Sequence, residues 1–211
     1  MADKGIIMKK LIAMMLMLCL LPLCALAELD EDGDVTVTLE GAEFFFTPIE
    51  GAHLLTRESS ASAFNRFGLR QYELLEHMEN YNIYAMMYFG NAVQGSVEAQ
   101  IAAYASVDTD FDEMNEYGET LMCESLKSAY IDQGHRVSAA EIYRAPEGHT
   151  FVRLSVAYDG DTGEELLTVY ITCQAGCTVE LRFFPFDGPL TEEQQAAAEL
   201  LADSLWITAA E

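Results

Sequence analysis

The segment that decides the fold is Leu166-Leu-Thr-Val-Tyr-Ile-Thr-Cys-Gln-Ala-Gly-Cys-Thr-Val-Glu-Leu-Arg182. Two runs rich in β-branched and aromatic residues, 166–173 and 177–184, are separated by Gln174-Ala-Gly176. Runs of this composition are typical of strands. So short a connection joins antiparallel neighbours, because a parallel pair needs a crossover of a dozen or more residues. The segment therefore predicts an antiparallel β-hairpin.

The sequence on both sides of this hairpin extends the pattern. Two further strands are predicted immediately before it, and short turns at 145–148 and 159–163 make them antiparallel neighbours. After it, Thr191-Glu-Glu-Gln194 is a capping box, which predicts a helix through about Ser204. The two strands before the hairpin are 136–143 and 150–158, and the other predicted strands are 35–39, 43–47, 53–56, 82–89 and 96–107. The remaining predicted helices are 60–79 and a segment from Asp108 or Asp110 to Gly134. Consecutive hairpins with separate helices indicate an α+β fold, a mostly antiparallel sheet flanked by helices, in one domain spanning 35–211.

The first residues have the pattern of an export signal. Lys4, Lys9 and Lys10 precede an apolar run from Leu11 to Leu21, and Ala25-Leu-Ala27 supplies small residues for cleavage before Glu28. We therefore predict a signal peptide over 1–27, an acidic leader without regular structure over 28–34, and a secreted or cell-envelope location. Lipidation at Cys24 is the alternative, and the bulky Leu23 before it disfavours that modification.

The chain is strongly acidic. It has 35 Asp and Glu against 11 Lys and Arg, a formal net charge of −24. This charge repels phosphate backbones and anionic lipid surfaces, so a nucleic-acid partner is not expected. No membrane span is expected once the signal is cleaved.

Three cysteines follow the predicted signal. If the hairpin loop is the three-residue Gln174–Gly176, Cys173 and Cys177 face each other within disulfide range. A two-residue turn would instead pair Cys173 with Thr178 and leave both thiols free. We expect the disulfide, since the protein is predicted to be exported. Cys123 is expected to be exposed or half-exposed, because it lies away from the predicted apolar stripe of Phe111, Met114, Leu121, Ser125 and Ala129.

Three places in the chain resemble the PsbP-like family. They are Phe44-Phe-Phe-Thr-Pro48-Ile-Glu-Gly51, the hairpin 166–182, and the final helix that leads from Thr191-Glu-Glu-Gln194 to Asp203-Ser-Leu-Trp-Ile207. The resemblance implies the family's α/β/α sandwich. It also implies a binding or assembly module, since the family has no shared catalytic residues to carry over.

The search for chemical motifs is mostly negative. Two Asp-rich loops, 30–34 and 159–165, miss positions that a calcium site requires, so neither a metal nor a cofactor is expected. Tyr84 and Tyr88 alternate on a predicted strand, which would place them on one face as the lining of a ligand groove.

Two functions remain open from the sequence. The preferred hypothesis is an exported non-enzymatic domain that binds an envelope protein or a small ligand. The alternative is a secreted hydrolase-type enzyme in which His135, His149, Asp159 and Cys123 converge only in the fold.

Overall fold

The computed structural model describes residues 27–29, 33–39, 41–66, 68, 70–90, 96–106, 110–146, 148–160 and 163–210. In that part of the chain, eleven strands form two sheets in which all neighbouring strands are antiparallel. The strands are β1 (Ala27–Leu29), β2 (Val35–Leu39), β3 (Ala42–Phe46), β4 (His53–Thr56), β5 (Ile83–Phe89), β6 (Val97–Ala105), β7 (Arg136–Arg144), β8 (Thr150–Gly160), β9 (Gly163–Gln174), β10 (Cys177–Pro185) and β11 (Trp206–Ala209).

The larger sheet has the order β4-β5-β6-β10-β9-β8-β7, and the smaller sheet has the order β1-β2-β3-β11. The predicted hairpin is the β9–β10 pair, and β7, β8, β9 and β10 are consecutive neighbours as the short connections required. The predicted α+β class with a mostly antiparallel sheet is confirmed.

Helices and the smaller sheet cover the two faces of the larger sheet. The helices are α1 (Ala61–Asn65), α2 (Gln71–Asn80), α3 (Glu116–Asp132) and α4 (Glu192–Ser204), with a 3-10 turn at Phe111–Glu113. On one face, α1 and α2 pack against Met86 and Ala102, while α3 packs against the apolar residues of β8 and β9. On the other face, the smaller sheet and α4 bury the most extensive apolar cluster of the described residues. The larger sheet is therefore the middle layer.

The segment 60–79 forms two helices instead of the single predicted helix. Gly68, in the break between α1 and α2, has φ +68°, a conformation that glycine adopts without the steric cost of a Cβ. Phe64 on α1 and Met78 on α2 are fully buried.

The predicted buried face of α3 is wrong. Cys123 is only 9 % exposed and packs in the cluster beneath α3, whereas Leu121 is 59 % exposed. The helix begins after Asn115, whose side chain accepts a hydrogen bond from the Gly118 N–H. The predicted apolar stripe was counted at helical spacing from Phe111. Phe111 belongs to the separate 3-10 turn, so the spacing of the helix does not apply to it.

The predicted three-residue loop and the Cys173–Cys177 disulfide are also wrong. Cys177 pairs with Gln174 and Cys173 pairs with Thr178, so the turn consists of Ala175 and Gly176, with φ of 50° and 72°. Two positive φ values are the geometry of a type I′ hairpin turn. In this register the two cysteines point to opposite faces of the sheet, and both carry thiols. Burial raises the pKa of Cys177 to about 11, so this thiol has little thiolate character.

Both ends of the described chain contribute strands to the smaller sheet. Trp206–Ala209, which was not among the predicted strands, pairs with β3 as β11. Part of the predicted leader is regular, because Glu28 pairs with Thr36 within β1 and β2. Residues 1–26 of the predicted signal peptide lie outside the described residues, and so do residues 30–32 of the predicted leader.

Candidate functional site

A groove lies on the helix-bearing face of the larger sheet. α2 contacts β5, and α3 contacts β7 and β8, so β6 and β10 in the middle of the sheet lie between the helices. The groove has a volume of about 590 Å³. We call it the central groove; it is lined by His77, Tyr81, Glu98, Gln100, Tyr158, Glu165, Leu166, Arg182, Phe184, Pro185 and Phe186.

A charged pair lies in the sheet at this groove. Arg182 Nε donates a hydrogen bond to Glu180 Oε2 at 2.7 Å, and the Tyr104 hydroxyl donates to Glu180 Oε1 at 2.8 Å. The Arg182 and Glu180 side chains are only 21 % and 10 % exposed. Burial, followed by the charge of Glu180, raises the pKa of Tyr104, which keeps this hydroxyl protonated as a donor. Both carboxylate oxygens are thus satisfied, as a charge buried to this extent requires.

Glu98 and Glu165 bring two further carboxylates to the groove. Gln100 Nε2 donates to Glu98 Oε1 at 2.6 Å, and the Tyr158 hydroxyl donates to Glu165 Oε2 at 2.7 Å. These donors are neutral, so the hydrogen bonds orient the carboxylates without cancelling their charge. Aromatic rings line the same cavity. The arrangement suits a ligand that combines a cationic group with an apolar body.

Tyr84 and Tyr88 do not share a face, and the prediction that they line one groove is wrong. The pairing of β5 with β6 shifts between Ile83 and Ala85, so Tyr84 is the extra residue of a β-bulge. Tyr84 therefore packs on the far face of the sheet, with its ring nearly perpendicular to that of Phe44. Tyr88 packs on the helix-bearing face, where burial, the charge of Glu98 and a hydrogen bond to Glu98 raise its pKa. Tyr88 thus forms a hydrogen bond with Glu98, which lines the central groove.

His149 has a structural set of contacts. Its Nε2 accepts the Ile207 N–H at 3.0 Å, which places the ring proton on Nδ1, 2.8 Å from Asp112 Oδ2. Burial raises the pKa of Asp112, but hydrogen bonds from His149 and Thr150 outweigh that effect and leave the pKa below its ordinary value. These hydrogen bonds join Asp112 in the 3-10 turn, His149 just before β8, and Ile207 in β11.

The other residues of the enzyme hypothesis have different partners. Asp159 accepts from Arg136 at 3.4 Å, and the His135 ring contacts Tyr130 and Tyr158. Burial, followed by neighbouring carboxylates, raises the pKa of the Cys123 thiol. Across the part of the chain that the structure describes, the contacts found for these residues do not assemble them around one reacting position.

The described residues contain no group of three or more His, Cys, Asp or Glu side chains placed to hold a metal ion. Parts of both Asp-rich loops, residues 30–32 and 161–162, lie outside the described residues. None of the described helices has the length and apolar composition that crossing a bilayer requires.

Sequence reasoning missed the charged centre of the groove. Glu98 and Gln100 alternate on β6, and Glu180 and Arg182 alternate on β10, which signals a polar face within two otherwise buried strands. The sequence does not indicate that these strands are neighbours. In the structure Arg182 lies opposite Gln100.

Comparisons with known proteins gave matches among solved structures alone, since no family model and no curated sequence matches the chain. The chain is similar to a crystal structure of a protein from Bacteroides thetaiotaomicron VPI-5482, with 9 % identity, a TM-score of 0.42, and coverage of 80 % of this chain and 45 % of that one. It is also similar to the solution structure of cyanobacterial PsbP (CyanoP) from Synechocystis sp. PCC 6803, with 11 % identity, a TM-score of 0.42, and coverage of 83 % and 91 %. The chain thus spans less than half of the Bacteroides protein. The second structure is from the family that the sequence resembles, and the likeness carries no statement about function.

Proposed function

We propose that this protein is an exported, non-enzymatic binding module whose central groove holds a cationic group of a small ligand or of a partner protein. The observation that carries this proposal is the pairing of two oriented carboxylates, Glu98 and Glu165, with aromatic walls in a cavity of about 590 Å³. A cation placed there gains charge-assisted hydrogen bonds and cation–π contacts together.

The contacts of His149 favour binding over the hydrolase alternative. A general base needs a free lone pair within reach of substrate. The Nε2 lone pair of His149 already accepts the backbone N–H of Ile207, and the ring is buried against Trp206.

Three probes that share one ring but differ in charge test the groove: benzylamine, benzyl alcohol and benzoate. We expect benzylamine alone to give saturable NMR shifts at Gln100, Tyr158 and Phe184. Glu98→Gln and Glu165→Gln should each weaken its binding by about tenfold, since a hydrogen bond to a charged group contributes about 1.5–3 kcal/mol.

The matched control for this experiment is Leu200→Asp, which changes an exposed residue on α4 outside the groove and adds a carboxylate. It should leave benzylamine binding unchanged. Equal binding of benzoate, or benzylamine shifts that survive both Gln variants, would contradict the proposed site.

Export is tested by the mass of the protein recovered outside the cytoplasm. The sequence Ala25-Leu-Ala27 supports cleavage before Glu28, so the recovered chain should have the mass of residues 28–211. A mass that includes diacylglycerol on Cys24 would instead identify a lipoprotein, and recovery of the uncleaved chain from the cytoplasm would contradict export.

A further inference from the structure

A second groove runs along α4, on the layer opposite the central groove. One part, of about 550 Å³, lies between α4 and the loop 47–50, and a second part, of about 350 Å³, continues toward the start of the helix. Both parts share Ile49, Glu50 and Ala197, so they form one groove, which we call the α4 groove. A helix of 13 residues is about 20 Å long, which sets the length of the groove.

The middle of the α4 groove is apolar. Leu200 is 68 % exposed on α4 and faces a cavity that Pro48, Ile49 and Ala197 also line. The next residue, Leu201, is 1 % exposed and belongs to the core. α4 thus fixes the position of Leu200 through its buried face, and the outer leucine adds apolar surface where a partner can cover it.

The charged residues around the α4 groove all have one sign. Among the described residues that line it, the ionisable side chains are the carboxylates Glu50, Glu193 and Asp203. Asp203 accepts a hydrogen bond from the neutral Tyr143 hydroxyl at 2.6 Å, which leaves its charge uncompensated by that contact. A second copy of this chain, with a net charge of −24, and an anionic lipid surface are both repelled.

We infer that the α4 groove is a docking surface for a basic amphipathic segment of a partner protein. Apolar side chains of that segment cover Leu200 and Ile49, and its Lys or Arg side chains lie beside Glu50, Glu193 and Asp203. An amphipathic helix that presents anchors at positions i, i+3, i+4 and i+7 is a common solution for a groove of this kind. This surface is separate from the central groove and does not depend on the function proposed for it.

The probe is a labelled 14-residue amphipathic peptide. It has Leu at positions i, i+3, i+4 and i+7 on one helical face and Lys on the opposite face. Two control peptides replace either every Lys by Glu or every Leu by Ser. Fluorescence anisotropy with the purified protein should show saturable binding of the Leu/Lys peptide. Both control peptides should bind at least tenfold more weakly, and added salt should weaken the Leu/Lys complex.

Two variants locate the binding surface. Leu200→Asp should lower the affinity for the Leu/Lys peptide at least tenfold. Leu121→Asp, at a comparably exposed leucine on α3, should change it less than twofold. Both should keep the circular dichroism spectrum and the melting temperature of the unmodified protein, since neither side chain is buried. Glu50→Lys should lower the affinity without affecting the fold.

Three outcomes would overturn the inference. The first is equal binding of the control peptide in which every Leu is replaced by Ser, which would mean that the acidic surface attracts any cation. The second is an equal effect of Leu200→Asp and Leu121→Asp. The third is self-association of the protein that Leu200→Asp abolishes, which would make a second copy the occupant.

Discussion

Replacing Tyr170 by alanine should lower the free energy of unfolding by about 4 kcal/mol, within the range for removing a large aromatic side chain from a core. Tyr170 is fully buried on β9, and its ring meets Tyr143, Phe151 and Phe183 edge-on at centroid distances of 5.3, 6.2 and 5.9 Å. The smaller sheet and α4 cover this face, so the site cannot collapse without moving several elements. Chemical denaturation and thermal unfolding measure the loss, and a decrease in melting temperature of roughly 8–16 °C is expected for a domain of this size.

Two further variants separate the ring of Tyr170 from its hydroxyl and from an exposed tyrosine. Tyr170→Phe removes only the hydroxyl that accepts from Gln195 and Arg153, so it should cost about 1 kcal/mol. Tyr117→Ala, at a side chain that is 78 % exposed, should change stability by less than about 0.5 kcal/mol. If Tyr170→Ala were no worse than Tyr170→Phe, the packed centre of the fold would lie elsewhere.

Replacing Arg182 by methionine should be the next most damaging change, with a cost of about 3 kcal/mol. The substitution keeps an apolar stem but removes the cation, and Glu180 is then left as a charge whose side chain is only 10 % exposed. Breaking a buried pair from one side costs about 3–5 kcal/mol, because the remaining charge has little solvent and no opposite charge beside it. The Tyr104 hydroxyl still donates to Glu180, but it is neutral. Urea unfolding at neutral pH measures the effect.

The double variant Arg182→Met with Glu180→Leu tests this explanation. An apolar replacement of both partners should recover most of the stability, since no uncompensated charge remains. The resulting double-mutant cycle gives the coupling between the two residues. A double variant that is as unstable as the sum of the two single variants would mean that packing, and not the charge pair, determines the loss.

These two sites differ in how far the sequence predicted them. Tyr170 lies in the segment from which the fold was predicted, and its place in a strand of an antiparallel hairpin is confirmed. The pairing of β10 with β6 places Arg182 opposite Gln100, and those residues are joined by a long stretch of chain. Pairing between strands that are distant in the sequence depends on how all the layers pack. The local sequence of β6 or of β10 therefore could not predict the central groove.

The sequence by itself determined the features that depend on neighbouring residues. The order of the strands from β2 to β10 among the helical segments, the antiparallel hairpins with short connections, the Thr191 capping box and the acidic charge follow from composition and spacing within short segments. The terminal strands β1 and β11 and the division of 60–79 into two helices were not predicted. The tertiary structure decided which face each side chain occupies. Three predicted faces were changed in this way. The bulge residue Tyr84 moved one tyrosine to the far face, and the two-residue turn at Ala175 and Gly176 placed the two cysteines on opposite faces. The start of α3 at Glu116 changed which side of that helix is buried. The physical reason is the short period of strands and helices: a shift of a single residue reverses a strand face or rotates a helix face by about 100°, and the packing of the whole fold selects among registers that differ locally by so little.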